Sequence, residues 1–112
     1  MNTGARVEDE IHYKLLKALE ENPDVTQREL AARLGISLGK ANYCLRALMA
    51  RGWVKVSNFR NSPNKMGYVY LLTPKGIEEK ARITVRFLRH KLSEFDALKA
   101  EIERLQLEVE RS

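Results

Sequence analysis

Lys40, Asn42, Tyr43 and Arg46 bring an ammonium, a carboxamide, a phenol and a guanidinium close together in the chain. No acid–base pair or activated nucleophile stands among them, so their chemistry is recognition by hydrogen bonding. An asparagine amide pairs with adenine, and an arginine guanidinium pairs with guanine or phosphate. The charge around them has one sign: no Asp or Glu occurs between Glu29 and Glu78, whereas Arg33, Lys40, Arg46, Arg51, Lys55, Arg60, Lys65 and Lys75 all fall inside that interval. A sign bias this local is an electrostatic footprint for a polyanion.

The elements that must hold these groups are legible from punctuation and periodicity. Ile11, Leu15, Leu16 and Leu19 recur at helical spacing from Val7 to Glu21, and Asn22-Pro23 stops that helix. Thr26-Gln-Arg-Glu29 has the form of a capping box, in which the Thr26 hydroxyl accepts from the backbone of Glu29 and the Glu29 carboxylate reaches back. It opens a short helix that turns Leu30, Ala31 and Leu34 inward. Gly35 suits the left-handed residue that ends a helix, Ile36 plugs the corner, and Ser37 caps the next helix, which runs to about Arg51. Along it Ala41, Leu45 and Leu48 form an inward stripe with Cys44 at its edge. Leu38, Lys40, Asn42, Tyr43 and Arg46 are left on or near the outer face. Two helices joined by so tight a turn make a helix-turn-helix.

Gly52 ends the second of these helices, and two strands follow at Trp53 to Ser57 and Tyr68 to Leu72, rich in aromatic and β-branched residues. Between them the segment from Phe59 to Gly67, with Arg60, Asn61 and Lys65, has the composition of an exposed hairpin tip. Thr73-Pro74 is a cap with proline at the first helical position, and no helix breaker follows Gly76. The last helix is expected to run about 36 residues, roughly 54 Å. The fold class is therefore mainly α with a small β-hairpin: a winged helix-turn-helix over residues 1–76 and a long C-terminal helix over 77–112.

The bulk composition closes off other classes. With 112 residues, 44% hydrophobic and 31% charged, the chain is expected to form one folded domain, and its net charge of +5 understates an asymmetry in which both ends are acid-rich. The N-terminus lacks the apolar core of a signal peptide and no run approaches a membrane span, so a cytoplasmic location is expected. One cysteine and the distant His12 and His90 offer no metal-ligand spacing, and no phosphate loop or catalytic motif occurs, so neither an enzyme nor a cofactor is expected. Cys44 reads as a small buried hydrophobe rather than a redox switch, the histidines as surface or packing residues, and Trp53, Tyr68 and Tyr70 as core anchors.

The segments TQRELAARLGIS, LGKANYCLRALMARGWV and the hairpin ending in YLLTPKG resemble the winged helix-turn-helix of the MarR family of bacterial transcriptional regulators. HYKLLKALEENP and YLLTPKGIEEKARITVRFLRHKL extend the resemblance to the small exopolysaccharide-associated regulators of that family. The resemblance implies binding to double-stranded operator DNA, with exopolysaccharide genes as targets, and places Arg60 and Lys65 in a minor-groove contact. Family members of ordinary length also carry an extra N-terminal helix and a further C-terminal helix, and this chain is expected to lack room for both. Residues expected to meet DNA are Thr26, Gln27, Arg28, Ser37, Leu38, Lys40, Asn42, Tyr43, Arg46, Arg60, Asn61 and Lys65. For Thr26 a simple capping role competes with phosphate contact.

In the last helix Ala81, Val85, Leu88, Leu92, Phe95, Leu98, Ile102, Leu105 and Val109 step by fours and threes, as a coiled-coil seam does. The spacings read alike in both directions from Phe95. An antiparallel homodimer centred there matches Leu92 with Leu98, Leu88 with Ile102 and Val85 with Leu105. It brings Arg82 near Glu108 and Arg89 near Glu101, and opposes Arg86 to Arg104. Two functions fit this pattern: a dimeric, sequence-specific DNA-binding regulator, and a winged-helix and coiled-coil adaptor that binds other proteins.

Overall fold

The computed structural model describes residues 3–58 and 68–112. In chain order these form α1 (Thr3–Glu21), α2 (Gln27–Leu34), α3 (Leu38–Ala50), β1 (Val54–Asn58), β2 (Tyr68–Leu72) and α4 (Pro74–Arg111). This is a winged helix-turn-helix with a long C-terminal helix, the architecture expected from the sequence. Among the described residues no helix is long and apolar enough to cross a membrane.

Three side-chain caps set the helix starts. Thr26 Oγ1 accepts from Glu29 N at 3.1 Å, Ser37 Oγ from Lys40 N at 3.0 Å, and Thr73 Oγ1 from Gly76 N at 3.0 Å. Only half of the expected capping box forms, because the Glu29 side chain is exposed and its carboxylate is left to solvent. Gly35 and Gly52, both at positive φ, turn the chain after α2 and α3 at an angle that a Cβ would strain.

Leu15, Leu16 and Leu19 of α1, Leu30 of α2, Leu45 and Leu48 of α3 and Ile83 of α4 are fully buried and make one core. Each such side chain contributes about 1.5–3 kcal/mol on removal from water. Tyr70 joins them from β2, and the half-buried Trp53 packs against the cluster. The side chain of Tyr68 lies outside the described residues. Strands β1 and β2 pair antiparallel in the register Val54↔Leu72 to Asn58↔Tyr68.

Several boundaries differ from the sequence reading. Helix α1 starts at Thr3 rather than Val7, and its Glu8 and Asp9 are tied to Arg51 and Arg86. Strand β1 runs one residue later than expected, because Trp53 N still bonds Leu48 O and belongs to the turn closing α3. Cys44 belongs to the core cluster and is 5% exposed, the small buried hydrophobe expected at the edge of the α3 stripe. Helix α4 has 38 residues, about 57 Å.

Gly76 explains how α4 leaves the hairpin. A Cβ at this position would sit 2.0 Å from the Trp53 carbonyl oxygen, so glycine is needed for the close approach. Thr73 fastens the same junction, its N–H donating to Trp53 O at 3.0 Å and its hydroxyl to Gly52 O. Beyond it α4 packs on α1 through Ile83, through a Tyr13–Phe87 stack with centroids 4.9 Å apart, and through Arg86 and His90, which meet Asp9. From Lys91 to Ser112 every residue is exposed.

Candidate nucleic-acid interface

Helix α3 is oriented by its buried stripe. Ala41, Cys44, Leu45 and Leu48 are drawn into the core, and the opposite arc is turned outward by the 3.6-residue repeat. On that arc Tyr43 is 69% and Leu38 42% exposed, Lys40 and Arg46 are exposed, and Asn42 is half-buried. The Lys40 ammonium stands 5.7 Å from the Tyr43 ring centroid. Among the described residues neither Lys40 nor Arg46 has a carboxylate partner. The structure thus brings the expected α3 residues onto one solvent-facing surface that combines amide, phenol, free cations and apolar groups.

The other expected residues are placed unevenly. Thr26 and Ser37 are occupied as caps, while Arg28 at the start of α2 is exposed. The Gln27 amide donates to the Tyr70 hydroxyl at 3.2 Å, and Tyr70 N donates to Pro23 O at 3.2 Å, so Gln27 joins the start of α2 to the root of the hairpin. This link, which connects the helix-turn-helix to the wing, escapes sequence reading because its ends lie 43 residues apart. Arg60, Asn61 and Lys65 lie outside the described residues.

Behind α3 the ionisable groups serve packing. Arg51 caps the helix, meets Glu8 at 3.3 Å and lies over the Trp53 ring, 5.1 Å from its centroid. His12 packs edge-on against Trp53 and is 7% exposed; burial holds its pKa below the ordinary 6.5, against the opposing pull of Glu8. Cys44 and His12 also border a cleft of about 320 Å³ between α1 and α3. Burial raises the Cys44 pKa, which keeps it a protonated thiol with little nucleophilic character. Among the described residues no group of acids, histidines and cysteines is arranged to hold a metal ion.

Residues 8–55 match the family model of the winged helix-turn-helix DNA-binding domain. That span covers α1 from Glu8 onward, the helix-turn-helix and the start of the wing. The whole fold is similar to the PcaV transcriptional regulator from Streptomyces coelicolor solved with its natural ligand, at TM-score 0.67 and 22% identity over 89% of this chain and 70% of that one. It is similar to the transcriptional regulator BldR from Sulfolobus solfataricus, at TM-score 0.62 and 23% identity over 91% of this chain and 73% of that one. Apo wild-type MarR from E. coli gives TM-score 0.56 and 23% identity over 84% of this chain and 75% of that one. No curated protein sequence matches the chain. The structural neighbours of this winged helix-turn-helix are thus transcriptional regulators, MarR of E. coli among them.

Proposed function

We propose that the chain is a sequence-specific double-stranded DNA-binding transcriptional regulator that acts as a homodimer. The observation that carries this reading is the outer face of α3, where Leu38, Lys40, Asn42, Tyr43 and Arg46 share one exposed surface within a stretch of chain free of carboxylates. In the major groove Asn42 and Arg46 read base edges, and Lys40 meets phosphate. Arg28 at the start of α2 adds a backbone contact, and Arg60, Asn61 and Lys65 of the wing tip contact the flanking minor groove.

The second copy docks on α4. Val85, Leu88, Leu92, Phe95, Leu98, Ile102, Leu105 and Val109 are between 45% and 74% exposed, a continuous apolar stripe that a lone chain leaves in water. Antiparallel pairing about Phe95 covers all of it. Like charges meet in that arrangement at Arg86 against Arg104 and at Lys91 against Lys99; the Arg86 guanidinium is bound by Asp9 on the side facing its own α1, and the Lys91 ammonium is paired with Glu94. Two copies joined this way offer two recognition helices to two half-sites. The resemblance of HYKLLKALEENP and YLLTPKGIEEKARITVRFLRHKL to exopolysaccharide-associated regulators supports exopolysaccharide genes as the targets.

Selection of bound duplexes from a random pool tests the reading. A defined, two-fold symmetric motif is expected, with affinity that falls steeply with salt. Recovery of no motif, with weak binding to every duplex, would instead favour an adaptor whose α4 and wing bind protein.

A further inference from the structure

We propose that Gly39 is the point where the recognition helix comes closest to its operator, and that the C5-methyl of a thymine is seated there between Leu38 and Tyr43. The inference rests on the reading of α3 as a recognition helix and specifies what that helix reads.

Gly39 is a glycine for which the fold offers no use, unlike Gly35, Gly52 and Gly76. Gly35 and Gly52 sit at positive φ, and Gly76 makes room for the Trp53 carbonyl. Gly39 is in α3 without positive φ, and a Cβ added to it meets no atom within 4 Å. Alanine would therefore fit, and glycine is the poorer helix former. A side chain missing without an internal reason leaves space for something outside the molecule.

The surroundings of that space define the occupant. At about 100° per residue, Gly39 falls on the same arc as Arg46 and Tyr43, with Asn42 beside it. Side chains on a helix lean toward its N-terminus, so Asn42 and Tyr43, one turn further on, overhang Gly39 while Leu38 flanks it. The result is a shallow hollow with backbone as its floor, apolar groups of Leu38 and Tyr43 as walls, an amide at one corner, and Lys40 and Arg46, neither paired with a carboxylate, nearby. The only apolar feature that base pairs present in the major groove is the thymine methyl, and Asn42 is placed to bind adenine beside it. An A·T-containing half-site follows.

The test uses the full chain and the duplex recovered by selection. Each thymine is replaced in turn by deoxyuridine, which removes the methyl alone, and binding is measured for wild type and Gly39→Ala. Wild type is expected to lose about fourfold in affinity at one thymine per half-site, the ratio expected for burying one methyl. Gly39→Ala is expected to melt no lower than wild type, yet to bind the operator at least tenfold more weakly and to ignore the deoxyuridine change. Specific binding that is indifferent to deoxyuridine everywhere, or unaltered by Gly39→Ala, would overturn this inference alone. A lowered Tm in Gly39→Ala would assign the glycine to the fold and overturn it too. Recovery of no specific duplex would overturn the recognition-helix reading itself and this inference with it.

Discussion

Asp9 and Arg86, 77 residues apart, join the first and last helices through two hydrogen bonds, Arg86 Nε to Asp9 Oδ2 at 3.0 Å and Arg86 Nη2 to Asp9 Oδ1 at 3.1 Å. His90 approaches the same carboxylate at 3.6 Å. The hydrogen bond from Arg86 holds the Asp9 carboxyl below its usual range despite partial burial. A carboxylate with a lowered folded-state pKa stabilises the fold above its unfolded value of about 3.8 and loses that contribution as pH falls through the folded value. Asp9→Asn should therefore unfold more easily at neutral pH than wild type, by up to about 1 kcal/mol because Arg86 is half exposed. The difference should vanish in strong acid, below the folded-state pKa. In the antiparallel dimer the variant should also dissociate more readily, since Arg86 is then free to repel Arg104. Urea titrations from neutral to acid pH and sedimentation of both proteins read the two effects.

Arg46→Ala and Asn42→Ala should each weaken operator binding by about 1 to 3 kcal/mol and narrow the gap between operator and random duplex, if each reads a base. Arg46 is exposed and Asn42 half-buried on the outer face of α3, so the smaller change in Tm is expected for Arg46→Ala. Unchanged discrimination in competition binding would remove α3 from the role of recognition helix.

Gly76→Ala should destabilise the fold by about 1 to 3 kcal/mol, the usual range for forcing atoms into packed space. Its new Cβ would overlap the Trp53 carbonyl oxygen, which also accepts the Thr73 N–H. Thermal melts of the variant beside Gly39→Ala offer a direct contrast, one glycine required by packing and the other free of it.

This contrast marks what a sequence reading can reach. Thr26, Ser37 and Thr73 announce their helices because a cap is made within three residues, and the α3 face follows from periodicity alone. The Gly76 contact, the Gln27–Tyr70 bond and the Asp9–Arg86 pair join residues far apart in the chain and depend on the packed arrangement. The burial of His12, with Trp53 packed edge-on against its ring, is something no local pattern records. The apolar seam of α4 was plain in the sequence, whereas the turn of Arg86 away from it was not.

Replacing Arg60 and Lys65 together by alanine should weaken binding to every duplex and flatten its salt dependence. Each lost phosphate contact removes roughly 0.9 from the slope of log affinity against log salt. If Arg60 enters a narrow minor groove, the loss should be greatest on A·T-rich flanks. Affinities over a salt series with flanks of differing composition separate these cases, and an unaltered slope would leave the wing tip without a DNA role.

Removing residues 94–112 deletes the outer half of the α4 stripe, including Leu98, Ile102, Leu105 and Val109, yet touches no buried residue. A folded, mainly monomeric domain is expected, with far weaker operator binding because one particle no longer delivers both half-sites. Light scattering of the full chain provides the reference, and a monomer there would end the dimer model. Orientation is read by cross-linking in a Cys44→Ser background. Antiparallel pairing about Phe95 sets Ala81 against Val109, so Ala81→Cys and Val109→Cys subunits should link when mixed. Val109→Cys alone should remain unlinked, because its two copies lie at opposite ends of the pair. Efficient self-linking of Val109→Cys would require parallel helices, which would move both recognition helices to the same end of the coil and change the spacing of the half-sites they read.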